Sequence, residues 1–125
     1  MIELRQTRDD DRLAAFDLLV MGQRIGFCQI RREPSHAPDI PAEAASHFYF
    51  EVRPDFRGQG FGKRLLTMAL PRARQMGLTE LIVTSLENNL ASRGAIAANG
   101  GTLTGVFDCA DGTRICRYVI QLAPM

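Results

Sequence analysis

Hydrophobic and polar residues alternate along the start of the chain with the two-residue period of a β-strand. Ile2 to Thr7 shows this pattern and predicts a short first strand, which Arg8 to Arg12 follows as a charged connector. Leu13 to Met21 is mostly apolar, as expected of a strand in the middle of a sheet. The chain therefore begins with two predicted strands and a short connection between them.

A hairpin and a long loop come next. Gly22-Gln23 predicts a turn, and Arg24 to Arg32 predicts the return strand. Glu33 to Ser46 contains three prolines and predicts a loop, with room for a helical turn at Ala42 to Ala45. A loop of this length in a small domain is usually functional or mobile. The return strand is expected to place Ile25, Phe27, Gln29 and Arg31 on one face and Gly26, Cys28 and Ile30 on the other.

The strand from His47 to Arg53 leads into the most strongly patterned part of the chain. Its alternation predicts one apolar face and one more polar face. A helix is predicted to start near Phe61 and to end at Gly77, because apolar residues recur there at helical spacing and glycine is a natural terminator. Pro71 removes a backbone hydrogen bond inside that helix, so we expect a kink or a break.

The last third of the chain predicts a strand, a helix and a second hairpin. Leu81 to Leu86 is the strand, and the helix runs from a cap at Asn88 or Asn89 through Asn99. The hairpin consists of Leu103 to Cys109 and Arg114 to Leu122, joined by an Asp-Gly turn. The order of these elements predicts an α/β fold built on a mixed sheet.

Composition and charge exclude several classes of protein. The 125 residues are 46% hydrophobic and 23% charged, which is typical of one globular domain covering residues 1–125. A net charge of +1 favours neither nucleic acid nor a membrane surface as a partner. The start of the chain has no apolar leader, and no apolar run approaches the ~20 residues of a membrane span. The three cysteines lack metal-binding spacing, so we expect reduced thiols, no metal site and a cytoplasmic protein.

A glycine-rich turn precedes the first predicted helix. Gly58, Gly60 and Gly62 lie there among cations, and glycine lets backbone N–H groups approach a ligand with no Cβ in the way. The first N–H groups of a helix lack internal partners and carry the positive end of its dipole, so the turn predicts a phosphate site. A P-loop does not fit, because Arg57 and Arg64 stand in place of its first glycine and its Ser or Thr. A dinucleotide fingerprint does not fit either, because its last glycine is missing.

The pattern that does fit is R-x-x-G-x-G, formed by Arg57, Gly60 and Gly62 after Val52-Arg53-Pro54. With these residues the chain resembles the GNAT superfamily, the acyl-CoA-dependent N-acetyltransferases. The order of its predicted elements is similar to that family as well. Further stretches resemble short predicted acetyltransferases of the family, namely Asn89 to Ser92, Asn99 to Gly101 and Arg117 to Ile120.

The resemblance implies acetyl-CoA as cosubstrate. In the family this turn holds the pyrophosphate, and an N–H of the preceding strand, best matched by Val52, polarises the thioester carbonyl. Asn89 and Ser92 match a pattern that reaches the CoA arm, although a plain helix cap explains them equally well. The implied cofactor-binding residues are Val52, Arg53, Arg57, Gly58, Gln59, Gly60, Phe61, Gly62, Lys63, Arg64, Asn89 and Ser92.

The general base and general acid are less well defined by the resemblance. An amine with a pKa near ~10 must lose a proton before it attacks. His47 aligns with a His of the short family members, and Glu51 shares its strand face and is the second candidate. A water relay with no dedicated base stays open. Ile96 stands where many members carry the Tyr that protonates the leaving thiolate.

The family usually carries one or two helices between its first two strands, and Arg8 to Arg12 leaves no room for them. We therefore expect a GNAT-like fold that lacks these helices. The sheet face they would shield needs another cover, either the Glu33 to Ser46 loop or a second subunit. The loop has few large apolar residues, so a homodimer with its interface near the cleft is predicted.

The predicted function is an N-acetyltransferase that moves an acetyl group from acetyl-CoA to an amine by direct attack in a ternary complex. The sequence does not specify the acceptor, because the family builds much of its acceptor site from the helices missing here. Two other functions stay open. The first is a non-catalytic acyl-CoA-binding module or a subunit that a partner completes, and the second is a phosphoanion-binding domain unrelated to CoA.

Overall fold

A seven-stranded sheet organises the protein, as a computed structural model describes it for residues 1–122. The last residues of the predicted domain, 123–125, lie outside the described range. Two short 3-10 helices, Ala42–Ala44 and Pro54–Phe56, flank the fourth strand. The remaining elements follow in the predicted order: β1 (Ile2–Asp9), β2 (Leu13–Val20), β3 (Gln23–Ser35), β4 (Ser46–Val52), α1 (Phe61–Gln75), β5 (Glu80–Leu86), α2 (Leu90–Ala98), β6 (Thr102–Asp108) and β7 (Arg114–Gln121).

The sheet opens between β4 and β5. The strand order is β1-β2-β3-β4-β5-β7-β6, and β4 and β5 are parallel whereas the other neighbours are antiparallel. α1 provides the crossover that a parallel pair requires. Within the described residues, β4 and β5 pair only at Phe48 opposite Val83. Beyond that point their C-terminal halves separate and leave a gap in the middle of the sheet.

One hydrophobic core holds both helices against the sheet. Leu65, Leu66, Ala69 and Ala73 of α1 and Ile96 of α2 are fully buried in a single cluster. The sheet contributes Leu4, Phe16, Cys28, Ile30, Phe48, Val83 and Tyr118 to the same cluster. The helices therefore fix the positions of β4 and β5 at the edges of the gap.

β1 and β2 form a hairpin whose connection is only residues 10–12. β1 reaches Asp9 and so includes part of the predicted connector. The carboxylate of Asp10 accepts bonds from the N–H groups of Leu13 at 3.0 Å and Arg12 at 2.8 Å, which close the turn. These bonds lower the pKa of Asp10 to about 2. The tight turn leaves no residues for a helix between the first two strands, as the sequence predicted.

The predicted faces of β3 are wrong at Ile25. The register of β2 against β3 shifts between Leu18 and Leu19, and Ile25 is the extra residue of a β-bulge. The bulge turns Ile25 into the core with Cys28 and Ile30, and Ile25 is 1% exposed. A residue inserted by a bulge inverts which residues face the core on the two sides of the bulge. The alternation of the sequence alone does not reveal where a bulge occurs.

α1 continues through Pro71 to Gln75, so of the two predicted outcomes the break is wrong and the kink stays a prediction. Proline removes one N–H donor from the helix, and Pro71 lies on the exposed side of α1. The carbonyl that loses this donor belongs to Thr67, which is also exposed. Gly77, with a φ of 88°, follows the end of the helix as predicted.

The loop after β3 crosses to the far hairpin. β3 runs to Ser35, so the loop is shorter than predicted and covers residues 36–45. Ile40 and Ala44 pack against Cys109 and Ile115 in a second small cluster. The N–H of Ala110 also donates to the carbonyl of Asp39 at 3.0 Å. In the described part of the chain, no helix has the length and apolar content needed to cross a membrane.

Candidate active site

The gap between β4 and β5 opens into a cleft of about 910 Å³. On the helix side it is bordered by the turn before α1 and by the first turns of α1 and α2. On the other side, the loop contributes His36, Ile40 and Ala44 to the wall. Side chains from both faces of β4 border the cleft, among them Phe50 and Glu51. The cleft therefore extends from a helix side to a loop side.

The turn before α1 has a backbone that favours glycine. Gly58 and Gly60 have φ angles of 78° and 82°, in the left-handed region. A Cβ built on either residue would meet no atom within 4 Å, so both face open space. Gly62 is different, because its Cβ would lie 3.4 Å from the ring of Phe50. Gly62 thus lets α1 pack closely on β4, while Gly58 and Gly60 leave the start of α1 accessible.

Cationic side chains surround the start of α1. Nε of Arg57 donates to the carbonyl of Val52 at 3.0 Å, which ties the turn to the end of β4. Lys63 borders the cleft, and no acidic residue lies in the first turn of α1. The predicted cofactor-binding residues Phe61, Asn89 and Ser92 also border the cleft. Three other predicted cofactor-binding residues do not border the cleft, namely Arg53, Gln59 and Arg64.

The backbone N–H of Val52 points into the gap. The N–H of Arg53 donates to the carbonyl of Ile25 at 2.8 Å, so these residues form a bonded position of the β3–β4 ladder. Bonded and non-bonded pairs alternate along antiparallel strands, which makes Val52 and Gly26 a non-bonded pair. A Cβ on Gly26 would lie 3.4 Å from Cα of Val52, which is the close approach of such a pair. The N–H of Val52 is therefore directed away from β3 and towards β5.

The two helices are tied together beside the cleft. Oδ1 of Asn89 accepts from the N–H of Ser92 at 3.1 Å and forms the cap of α2. At the other end of α2, Nδ2 of Asn99 donates to the carbonyl of Lys63 at 3.3 Å. The hydroxyl of Thr67 is 2.8 Å from Oδ1 of Asn99. Asn99 thus holds α2 against the first turns of α1.

Glu51 and Tyr49 border the cleft on the loop side. The hydroxyl of Tyr49 donates to Oε2 of Glu51 at 2.8 Å, and this bond raises the pKa of the phenol. The Tyr49 ring is 45% exposed and its centroid lies 5.9 Å from that of Phe27. Among the described residues that border the cleft, Glu51 carries the one carboxylate. A proton acceptor therefore lies immediately before Val52 in the chain.

His47 lies outside the lining of the cleft. It is 6% exposed, and its Nδ1 accepts from the N–H of Ile82 on β5 at 2.9 Å. An accepting Nδ1 places the proton of the neutral ring on Nε2. Burial lowers the pKa of this imidazole. His47 is five residues before Val52, which is about 16 Å along an extended strand.

The chain matches the family model described as Acetyltransferase (GNAT) family over residues 2–100, well over half of its length. The protein belongs to the GNAT family. The family predicted from the sequence is therefore confirmed. No sequence among curated proteins matches the chain significantly.

Solved structures have the same GNAT fold. YncA of Salmonella typhimurium, solved with its cofactor acetyl-CoA, is 18% identical with a TM-score of 0.70, over 90% of this chain and 66% of that one. A ribosomal-protein-alanine N-acetyltransferase of Brucella melitensis is 18% identical with a TM-score of 0.71, over 88% and 69%. The ribosomal-protein-S18-alanine N-acetyltransferase of Escherichia coli is 18% identical with a TM-score of 0.69, over 94% and 74%. The predicted fold class is confirmed, and the chain spans about two thirds of the length of these proteins.

The sequence predicted only part of the loop side of the GNAT cleft, namely Glu51 on the more polar face of β4. Arg31, His36 and Thr84 border it together with Tyr49. The alternation along each strand assigned Arg31 to one face of β3 and Tyr49 to one face of β4. It did not show that these two faces lie on the same side of the sheet. That relation depends on the pairing of Gln29 with Tyr49, which only the folded sheet reveals.

His47 gives the GNAT domain a testable pH dependence. Because the pKa of His47 is lowered in the folded state, the unfolded state binds more protons at mildly acidic pH than the folded state does. The free energy of unfolding therefore falls as the pH drops below about 6.5. His47→Asn keeps an acceptor for the N–H of Ile82 and removes the titration. Between pH 7.5 and pH 5, we expect the free energy of unfolding of this variant to depend less steeply on pH than that of the wild type. Urea unfolding at each pH measures this free energy.

The control for this measurement is His36→Asn, which removes the exposed histidine. It should keep the wild-type dependence of stability on pH. Equal slopes in the wild type and in His47→Asn would contradict the prediction.

Proposed function

We propose that the protein is an N-acetyltransferase that moves an acetyl group from acetyl-CoA to an amine by direct attack in a ternary complex. One observation carries this proposal: two features border the same cleft. They are the accessible, cationic start of α1 and the N–H of Val52, which is directed into the gap. Membership of an acetyltransferase family supports acetyl transfer, and the similar YncA structure contains acetyl-CoA. A cleft that is open on a helix side and on a loop side suits two substrates bound at once.

The turn before α1 fits a pyrophosphate group. A Cβ on Gly58 or Gly60 would occupy the open space in front of the unpaired N–H groups of α1. Arg57 and Lys63 add positive charge there, and Asn89 with Ser92 faces the same space from α2. The remaining proposed cofactor-binding residues act as follows: Phe61 and Gly62 shape the wall, Gln59 completes the turn, and Arg53 and Arg64 add charge from outside the lining.

Val52 is proposed to polarise the acetyl carbonyl through its N–H. Acetyl-CoA supplies an activated acetyl thioester. A hydrogen-bond donor held in place by the β3–β4 ladder stabilises charge on the carbonyl oxygen without having to reorient. The hydrogen bond from Nε of Arg57 to the carbonyl of Val52 also holds the backbone of Val52 in place.

Val52→Pro tests this role, because proline removes the N–H at a position where the ladder does not use it. We expect the turnover rate to fall about a hundredfold, since loss of one such donor typically costs that much. Steady-state kinetics with saturating acetyl-CoA measures the effect. Val52→Ala keeps the N–H and serves as the matched variant, and equal losses in the two would show that only the side chain matters.

We propose Glu51 as the general base, ahead of His47. Glu51 is next to Val52 and borders the cleft, whereas His47 uses Nδ1 to bind β5 and is about 16 Å away along the strand. In the proposed step, Glu51 takes one proton of the acceptor ammonium, the resulting amine forms a C–N bond at the carbonyl carbon, and the C–S bond breaks. The second proton of the nitrogen passes through solvent to the leaving thiolate, which gives the amide and CoA. His47 then contributes by holding β4 to β5, and it reaches the acceptor only through a water relay.

One observation favours the alternative of a non-catalytic acyl-CoA-binding module. Ile96, at the place of the acid Tyr of many GNAT members, is fully buried in the core and offers no proton. A thiolate leaves readily near neutral pH, so this substitution makes the reaction slower without preventing it. The experiment below separates the two functions.

The partner and the location stay proposals as well. The proposed homodimer has its interface near the cleft, on the sheet face opposite α1 where Phe27 is half-buried, and it helps to shape the acceptor site without covering Tyr49. Sedimentation at micromolar concentration tests this, and a catalytically active monomer would contradict it. Cys28, Cys109 and Cys116 are free and buried, which fits a reducing cytoplasm.

Calorimetric titration with acetyl-CoA, followed by an assay of thiol release with a panel of amines, tests the proposed function. Binding together with amine-dependent release of CoA is the expected result. Binding with no release for any amine would favour the binding module. Absence of binding would overturn the proposal as a whole.

A further inference from the structure

The loop side of the cleft carries opposite charges at its two ends. Glu51 lies next to Val52, and Arg31 lies further along, beside Ser46. Nη1 of Arg31 donates to the carbonyl of Ser46 at 3.4 Å, which is a long contact. Within residues 1–122, Arg31 forms no salt bridge, whereas its strand neighbours Arg24 and Arg32 are each paired with an aspartate at 2.9 Å. Arg31 is thus the arginine of β3 that keeps its charge available to the cleft.

The spacing of these charges follows from the β3–β4 register. Phe27 pairs with Glu51 and Gln29 pairs with Tyr49, so Arg31 is four residues beyond the level of Glu51. Four residues of a strand span about 13 Å. Tyr49 lies between the two ends, and its hydroxyl orients the carboxylate of Glu51.

Between the two charges the cleft is bordered by one aromatic side chain, Tyr49, whose ring centroid lies 5.9 Å from that of Phe27. His36 and Ile40 of the loop border the same cleft. The acidic residues of the β3 end and of the loop, Glu33, Asp39 and Glu43, are exposed and do not border the cleft. Within residues 1–122 none of these carboxylates forms a salt bridge with Arg31.

We propose that the acceptor is an extended peptide whose N-terminal amine reaches Glu51 and whose acidic side chain, about three residues later, pairs with Arg31. Three extended residues span about 10 Å, and the acidic side chain and the long side chain of Arg31 reach across the rest of the ~13 Å backbone spacing. A charge-assisted hydrogen bond from a guanidinium to a carboxylate is among the stronger polar contacts. Acceptors with a second cation at that distance are disfavoured, because Arg31 repels them. This inference rests on the proposed function and names the acceptor of the same site.

Four matched peptides test the proposal. All have a free N-terminus, an amidated C-terminus and alanine elsewhere, and they carry Glu at the third position, Glu at the fourth, Gln at the fourth or Lys at the fourth. We expect kcat/KM to be about tenfold higher for the better Glu peptide than for the Gln peptide, and lowest for the Lys peptide. A tenfold ratio corresponds to about 1.4 kcal/mol, which is close to the lower end of the range for a hydrogen bond to a charged group.

Variants of Arg31 assign this preference to one residue. Arg31→Gln should bring the ratio of the Glu to the Gln peptide to about one, and Arg31→Glu should reverse the order in favour of the Lys peptide. Arg24→Gln changes an arginine of the same strand that lies outside the cleft, and it should keep the wild-type ratio. Calorimetry with acetyl-CoA reports whether each variant keeps its fold, since Arg31 lies away from the proposed pyrophosphate turn.

The possible outcomes separate the role of Arg31, the peptide acceptor and the proposed function. Equal rates for the Glu and Gln peptides, or a ratio that survives Arg31→Gln, overturn the role of Arg31 and leave the proposed function intact. Acetyl-CoA binding without acetylation of any peptide overturns the peptide acceptor. Absence of acetyl-CoA binding in the wild type overturns the proposed function itself.

Discussion

Gly60→Val is expected to abolish the binding of CoA. The φ of 82° at Gly60 costs a residue with a side chain about 1–2 kcal/mol, so some stability is lost. The larger effect is local, because the branched side chain would fill the open space in front of the first N–H groups of α1. We expect the dissociation constant measured by calorimetry to rise at least a hundredfold. Wild-type affinity in the variant would refute the assignment of the turn.

Gly22→Val is the matched control for this experiment. Gly22 has a φ of 80°, and a Cβ there would also meet no atom within 4 Å, so the backbone strain is similar. It lies in the β2–β3 turn and does not border the cleft. Loss of CoA binding in both variants would indicate general destabilisation, whereas loss in Gly60→Val alone would show that the turn itself contacts the ligand.

The glycine turn could be recognised from the sequence because its determinants are local. A helix start, its glycines and its cations follow one another within the few residues from Arg57 to Arg64. The same is true of the Asp-Gly turn at Asp111 and of the cap at Asn89, whose partner Ser92 is three residues away. Patterns of this kind depend on neighbours in the chain, so a single sequence contains them.

Features that depend on distant residues were not predictable in the same way. The partner of His47 is Ile82, 35 residues away, and nothing near His47 indicates that its imidazole bonds to a strand N–H. The bulge at Ile25 depends on the register with β2, and the availability of Arg31 depends on which neighbouring arginines find aspartates. The family motif locates the proposed CoA turn, while the acceptor side emerges only from the assembled sheet.

Glu51→Gln is expected to lower the turnover rate at neutral pH by about a thousandfold, within the range for loss of a general base. Glutamine keeps the size of the side chain and still accepts the bond from Tyr49, but it does not take a proton. CoA affinity should change little, because Glu51 faces the loop side of the cleft. The residual rate should rise with pH as the acceptor amine loses its proton to solvent, which a pH profile of kcat/KM measures.

The comparison with His47→Asn decides between the two candidate bases. The structure gives His47 a bond to β5 and a place outside the cleft lining, so we expect this variant to keep the shape of the wild-type pH–rate profile. Tyr49→Phe removes the hydroxyl that orients Glu51 and should lower the rate several-fold without removing the base. If instead His47→Asn shows the large loss and the changed profile while Glu51→Gln does not, the proton leaves the acceptor through water to His47, and Glu51 serves only to attract the ammonium group.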